Sequence, residues 1–182
     1  MKRTKLMNSI MVHALFALYV YALFITILFK FDSIDITFLM SRLQRNLGDP
    51  NYILGQLQSG NFILFKTISN YFLTPSIHHI INLVGNIVIF IPFGFFISLL
   101  SKAKEISFIG VSAQSLCLSL CLECLQVVFS IGSFDVDDLV LNTFGGLLGY
   151  GVFKLIYFPL KATFTIKKVP NYMGLLKRNY KK

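Results

Sequence analysis

The sequence predicts an all-α membrane protein: a bundle of four transmembrane helices whose extracytoplasmic loop contains short interfacial helices. Three observations carry this expectation. Apolar residues make up 55% of the 182 residues and charged residues 14%, where a soluble domain carries about 25% charged residues. Four apolar stretches each reach the roughly 20 residues that a helix needs to cross about 30 Å of hydrocarbon. The charges gather at the ends of the chain and in the loops. A water-soluble fold of this size could not hide so much apolar surface, whereas lipid can cover it.

The first stretch, 8–29, is longer than the apolar core of a signal peptide. It runs into Phe29-Lys30-Phe31-Asp32 with no small-residue cleavage site, so it reads as an uncleaved anchor. The others are 77–100, 108–130 and 138–158. In lipid the backbone must satisfy its own hydrogen bonds, so each reads as a helix. Together they make a transmembrane domain over 1–160, followed by a basic tail over 161–182.

Basic residues orient the bundle. Lys2, Arg3 and Lys5 precede the first span, Lys102 and Lys104 lie between the second and third, and seven more follow the fourth. The opposite side carries Lys30, Arg42, Arg45 and Lys66 in one long loop. The expected cell-membrane topology is multi-pass with N-terminus and C-terminus cytoplasmic and the loop 30–76 outside. Within that loop, 34–47 and 61–72 are too short to span and could lie at the interface or dip into the bundle. The tail suits the anionic inner leaflet.

The net charge of +9 raises the question of nucleic acid. No basic patch is interleaved with aromatics on a polar face, so no nucleic-acid partner is expected. Cys117, Cys121 and Cys124 share one apolar run with no His near them in sequence. They read as small packing residues in a helix interface, and neither a metal nor a cofactor is expected.

Polar groups inside apolar spans are costly and point to function. Glu123 is the one acidic residue well inside a span, and at 100° per residue Ser112, Leu116, Ser119, Glu123, Gln126 and Ser130 share its face. Asn82 and Asn86 share a face of the second helix, where Pro92 should kink or loosen the backbone and Gly94 follows. Asp135, Asp137 and Asp138 precede the fourth helix, and Asp138 could cap it. Asn142 lies one turn in, and Gly145 and Gly149 form a GxxxG pair suited to close helix approach. At 1.5 Å per residue, Glu123 is about 10 Å deep, Asn86 about 13 Å and Asn142 about 6 Å. All fall in the outer half of the membrane, which predicts an outward polar cleft walled by the second, third and fourth helices. In a second reading the same groups only bond helices together. His78 and His79 stand at the mouth and read as interfacial packing.

The string INLVGNIVIFIPFGFF resembles the NxxxNxxxFxPxG helix of the VanZ-like family, and ECLQVVFSIGSFDVDDLVLNTFGGLLGY resembles its ExxQ…DxDDxxxNxxGxxxG half. Residues 61–68 resemble a degenerate form of its NxxPFxTI segment. The matching positions are Asn82, Asn86, Phe90, Pro92 and Gly94; Glu123 and Gln126; and Asp135, Asp137, Asp138, Asn142, Gly145 and Gly149. Gly132 stands where many members carry Arg, which removes a phosphate contact, and Leu64 replaces the Pro of the short segment.

The family is named for a protein that raises resistance to the glycopeptide teicoplanin, and it is common in Gram-positive bacteria. The resemblance implies a protein that binds or modifies a cell-envelope component. Asn82, Asn86, Gln126, Asp138 and Asn142 would bind, while Pro92, Gly94, Gly145 and Gly149 would pack helices. The expected partners are membrane lipid and a lipid-linked wall precursor or the glycopeptide itself. An intramembrane enzyme on a lipid-linked substrate is the first alternative, with Glu123, Asp135 and Asp137 as acid/base candidates. A structural or transport subunit is the second, and it would need oligomerisation through Gly145 and Gly149.

Overall fold

The computed structural model describes residues 2–29, 35–101 and 106–166. Seven helices lie among them: α1 (Lys2–Phe29), α2 (Ile36–Gly48), α3 (Asn51–Gln58), α4 (Lys66–Leu73), α5 (Ile77–Leu100), α6 (Phe108–Val128) and α7 (Val136–Ile166). Four contain stretches long and apolar enough to cross a membrane: Ser9–Leu28, Ile77–Leu100, Phe108–Val128 and Val136–Pro159. The protein is therefore a multi-pass membrane protein, and the short helices α2, α3 and α4 occupy the first loop.

Side-chain caps set most of the helix starts, because the first amides of a helix have no partner within it. Asp35 accepts from the Phe38 amide at 2.9 Å, Ser76 from His79 at 3.2 Å and Ser107 from Gly110 at 3.1 Å. Asp135 accepts from the Asp137 amide at 2.9 Å and so caps α7. This corrects the expectation for Asp138, which sits inside the first turn of a helix that begins two residues earlier than 138.

At its far end α6 stops at Val128, short of the expected 130. Ser130 takes a left-handed φ of 49°. The Ser130 amide donates to the Val127 carbonyl at 3.0 Å and the Ile131 amide to that of Gln126 at 3.0 Å. These are the two bonds of a Schellman stop. Asn46 of α2 completes it, donating to the Val128 carbonyl at 2.6 Å and to Ser130 Oγ at 2.8 Å. The helix α7 runs on past 158 to Ile166, and the remaining tail, like Lys30, Lys102 and Lys104, lies outside the described residues.

Helices α5 and α7 form the tightest pair. A Cβ on Gly94 would fall 1.8 Å from the Gly146 carbonyl oxygen, one on Gly145 2.1 Å from that of Ile87, and one on Gly149 1.9 Å from that of Ile91. Only hydrogen fits at these positions, so small residues let the two backbones touch where there is no hydrophobic drive between helices. Helix α5 remains continuous through Pro92. Helix α1 packs on α5 through Leu23 against Phe90 and Phe93, and through ring contacts of Phe16 with Phe93 and Phe96. The Tyr19 hydroxyl donates to the Ile89 carbonyl at 2.6 Å.

Two faces of α6 differ from expectation. Its buried side is Val111, Ser115, Ser119, Leu122, Glu123, Gln126 and Val127, so Ser115 replaces Ser112 and Leu116 in the stripe, and Leu116 is exposed. The cause is the contact with α7: the position of Ser115 Oγ is 2.1 Å from where a Gly146 Cβ would stand. The second correction concerns Cys117, Cys121 and Cys124. All three are exposed, on the side of α6 turned away from the bundle, and pack no helix interface among the described residues.

Candidate functional site

The site begins with the loop between α6 and α7. Asn61 pairs with it as one parallel bridge to Asp135. The Asn61 amide donates to the Phe134 carbonyl at 2.7 Å, and the Val136 amide donates to that of Asn61 at 3.0 Å. Asn61 Nδ2 donates to Asp135 Oδ1 at 2.9 Å, and Thr67 Oγ1 donates to Asp135 Oδ2 at 2.7 Å. Asp137 is fully buried. Its carboxylate accepts from the backbone amides of Phe65, Thr67 and Ile68, the last two at 2.8 and 3.1 Å. Those amides open α4, where Phe65 takes a left-handed φ of 64° to bring its N–H into line. An anion at a helix N-terminus satisfies orphan amides and meets the favourable end of the helix dipole. Asp135 and Asp137 thus rivet the first loop to the start of α7.

Behind this rivet lies a cavity of about 660 Å³. Asn82 and Asn86 reach it from α5, Glu123 and Gln126 from α6, Asp135 from the loop, and Asp138 and Asn142 from α7. The structure therefore gathers seven of the singled-out polar residues around one space, while Asp137 faces α4. The polar wall is internally bonded. Asn86 Nδ2 donates to Asp138 Oδ1 at 2.6 Å, and Asn142 Nδ2 donates to Ser119 Oγ at 2.8 Å. The Asp135 amide donates to Glu123 Oε2 at 3.0 Å. Gln126 Nε2 donates at 3.1 Å to the Ile27 carbonyl in the last turns of α1.

Two further elements contribute that the helix-by-helix expectation omitted. Thr26 and Ile27 of α1 and Tyr71 of α4 also line the cavity. The Tyr71 hydroxyl is hydrogen-bonded to Asn82, and burial, together with the nearby carboxylates of Asp138, Asp135 and Asp137, raises its pKa above the ordinary 10.0. Tyr71 stays protonated near neutral pH, available as a hydroxyl donor or acceptor. His78 lines the rim, while His79 stacks on Tyr71 with ring centroids 4.5 Å apart and bonds the Thr74 carbonyl at 2.7 Å. Gly132 lies on the lining, where a Cβ would stand 3.4 Å from Gln126.

Asn46, Asn61, Thr67 and Tyr71 escaped the residue-by-residue reading. Asn61 and Thr67 lie in the degenerate short segment, which offered a signal. Asn46 gave none, because its amide serves a helix end 82 residues away.

A bundle of four helices long and apolar enough to cross a membrane, with a polar-lined cavity beside a riveted loop, defines an integral membrane protein. The chain matches the family model described as VanZ/LLP1 over residues 16–157 and belongs to that family. It is 40% identical over 74 residues to Protein VanZ of Enterococcus faecium, an alignment covering 41% of this chain and 45% of that protein. The chain thus matches somewhat less than half the length of this relative. No solved structure matches it.

Proposed function

We propose that this protein binds or modifies a cell-envelope component through a polar cleft that opens to the outside, and thereby alters susceptibility to glycopeptides such as teicoplanin. The observation that carries the proposal is the 660 Å³ cavity lined by Glu123, Asp138, Asn86 and Asn142 from three helices. Ionisable and amide groups in a span are retained where they meet protein or a ligand. The basic residues support an outward cleft: twelve flank one side of the spans and four the other. The VanZ relative supports the link to the envelope.

Binding fits the site better than catalysis. Asp135 and Asp137 hold backbone and side-chain donors of the first loop. Glu123 is then the remaining acid/base candidate for an enzymatic step on a lipid-linked substrate.

The test is teicoplanin susceptibility of a sensitive Gram-positive host expressing the full chain, Glu123→Gln or Asp138→Asn, with membrane levels matched. The expected result is a shift with the native chain that both variants lose. An unchanged shift in both variants overturns the cleft reading. Conversion of labelled envelope lipids by purified protein, lost in Glu123→Gln, would favour the enzyme.

A further inference from the structure

In the first loop, four large apolar residues follow one another and all lie on the surface. Phe62, Ile63, Leu64 and Phe65 are 60, 63, 50 and 55% exposed. Phe62 stacks on Phe134 of the α6–α7 loop, with ring centroids 5.1 Å apart and planes 13° apart, so the patch continues to the start of α7. Contiguous apolar surface of this kind marks contact with a partner or a membrane.

The segment is built as a finger closed by its own hydrogen bonds. Asn61 at its base is bridged to Asp135. The Ile63 amide donates to Asn61 Oδ1 at 3.1 Å, the Phe65 amide to the Asp137 carboxylate, and the Lys66 amide to the Ile63 carbonyl at 3.3 Å. Phe65 has a φ of 64°, a conformation that a bulky residue keeps only where its surroundings impose it. With these amides satisfied inside the protein, moving the turn out of water costs less. Polar and apolar side chains also part company. Asn61 and Thr67 bond Asp135, and Tyr71 lines the cavity, while the four apolar side chains stay exposed.

The place of the finger supplies its occupant. Its bridge partner Asp135 caps α7, and Ser76 on its far side caps α5. Both helices begin their apolar spans at once, Val136–Pro159 and Ile77–Leu100. The base of the finger therefore stands at the level where these helices enter the bilayer. Lys66 ends the apolar run and is exposed. An ammonium stays among headgroups while apolar neighbours reach the acyl chains, which limits entry to the interfacial layer.

We propose that residues 62–65 insert into the leaflet around the N-terminal ends of α5 and α7, with Lys66 at its headgroups. The partner is the bilayer itself, at the boundary between headgroup and acyl chain. The first loop is then held on two sides, by Asp135 and Asp137 to the bundle and by the finger to lipid. This anchor goes beyond the proposed cleft and does not depend on what the cleft binds.

The sequence has no tryptophan, so Leu64→Trp places a single reporter in the full chain. The purified variant is reconstituted in phosphatidylcholine brominated either near the headgroup end or near the methyl end of the acyl chains. The expected result is blue-shifted emission, weak quenching by aqueous acrylamide, and stronger quenching by bromine near the headgroup end. Adding Ile63→Asp changes an exposed position, so the fold is retained, as circular dichroism will show. It should draw the finger into water, shift the emission to the red and remove the bromine quenching. Emission like that of free tryptophan with full acrylamide quenching in Leu64→Trp alone overturns the inference, because the finger then stands in water. Blue-shifted emission that neither lipid quenches overturns it as well, because protein then covers the finger. Stronger quenching by bromine near the methyl end contradicts the limit set by Lys66. Unchanged bromine quenching after Ile63→Asp shows that the finger's apolar side chains are not the anchor.

Discussion

Asp137 lies in the most characteristic motif of the chain, yet it is turned from the cavity towards the amides that start α4. Each hydrogen bond to a charged group contributes about 1.5–3 kcal/mol, and this carboxylate accepts three. Asp137→Ala should therefore free the first loop before it unfolds the bundle. Hydrogen exchange would show it: the amides of Phe65, Thr67 and Ile68 should lose protection while those in the middle of α5 and α7 keep theirs. Uniform loss of protection, or none, would contradict the anchoring role. Asp138, one residue on, bonds Asn86 across to α5 at 2.6 Å and faces the cavity. Adjacent residues in a first helical turn point about 100° apart, and that alone divides anchor from site.

Helices α5 and α7 depend on each other through glycine. Gly149→Leu puts a side chain where the Ile91 carbonyl oxygen stands 1.9 Å from the first carbon. The pair must part, at a cost above the 1–3 kcal/mol of ordinary overpacking. Gly85→Leu, on an open face of α5, should cost little. Thermal unfolding in detergent should show a large drop for the first and almost none for the second, and equal drops would show that the α5–α7 contact is not the keystone.

The same contact explains what could be read in advance. The spans followed from apolar length, and the glycine pair and amides from helical spacing. The rotation of α6 did not follow. Ser112 and Ser115 are equally polar, and only the place of Gly146 selects Ser115. The helix ends shifted because Ser130 adopts a backbone conformation usually left to glycine, and because Asp135 caps α7 ahead of Asp138. The exposed cysteines are a matter of which side of α6 meets lipid, and composition does not encode that.

Across the whole molecule, four long helices surround a cavity and the first loop is fastened beside one end of it. Asn46 holds α2 to the end of α6, and Asn61, Thr67 and the α4 amides hold the rest of the loop to the start of α7. Helix α1 closes the remaining flank by a few contacts, among them Tyr19 to Ile89 and Gln126 to Ile27. The result is a cavity lined by polar groups of α5, α6 and α7 and by residues of α1 and α4. The polar lining had been expected from helices α5, α6 and α7, whereas the share that α1 and α4 take in it through Thr26, Ile27 and Tyr71 depends on tertiary packing, which local spacing does not reveal.

The most direct test of an outward cleft is thiol labelling in intact cells. In a background with Cys117, Cys121 and Cys124 replaced by serine, Ser133→Cys at the exposed rim and Asn82→Cys on the lining should react with a small membrane-impermeant thiol reagent added outside. Ile109→Cys, at the opposite end of the bundle, should react only after permeabilisation. Labelling of Ser133→Cys and Asn82→Cys only after permeabilisation, or not at all, would contradict the account.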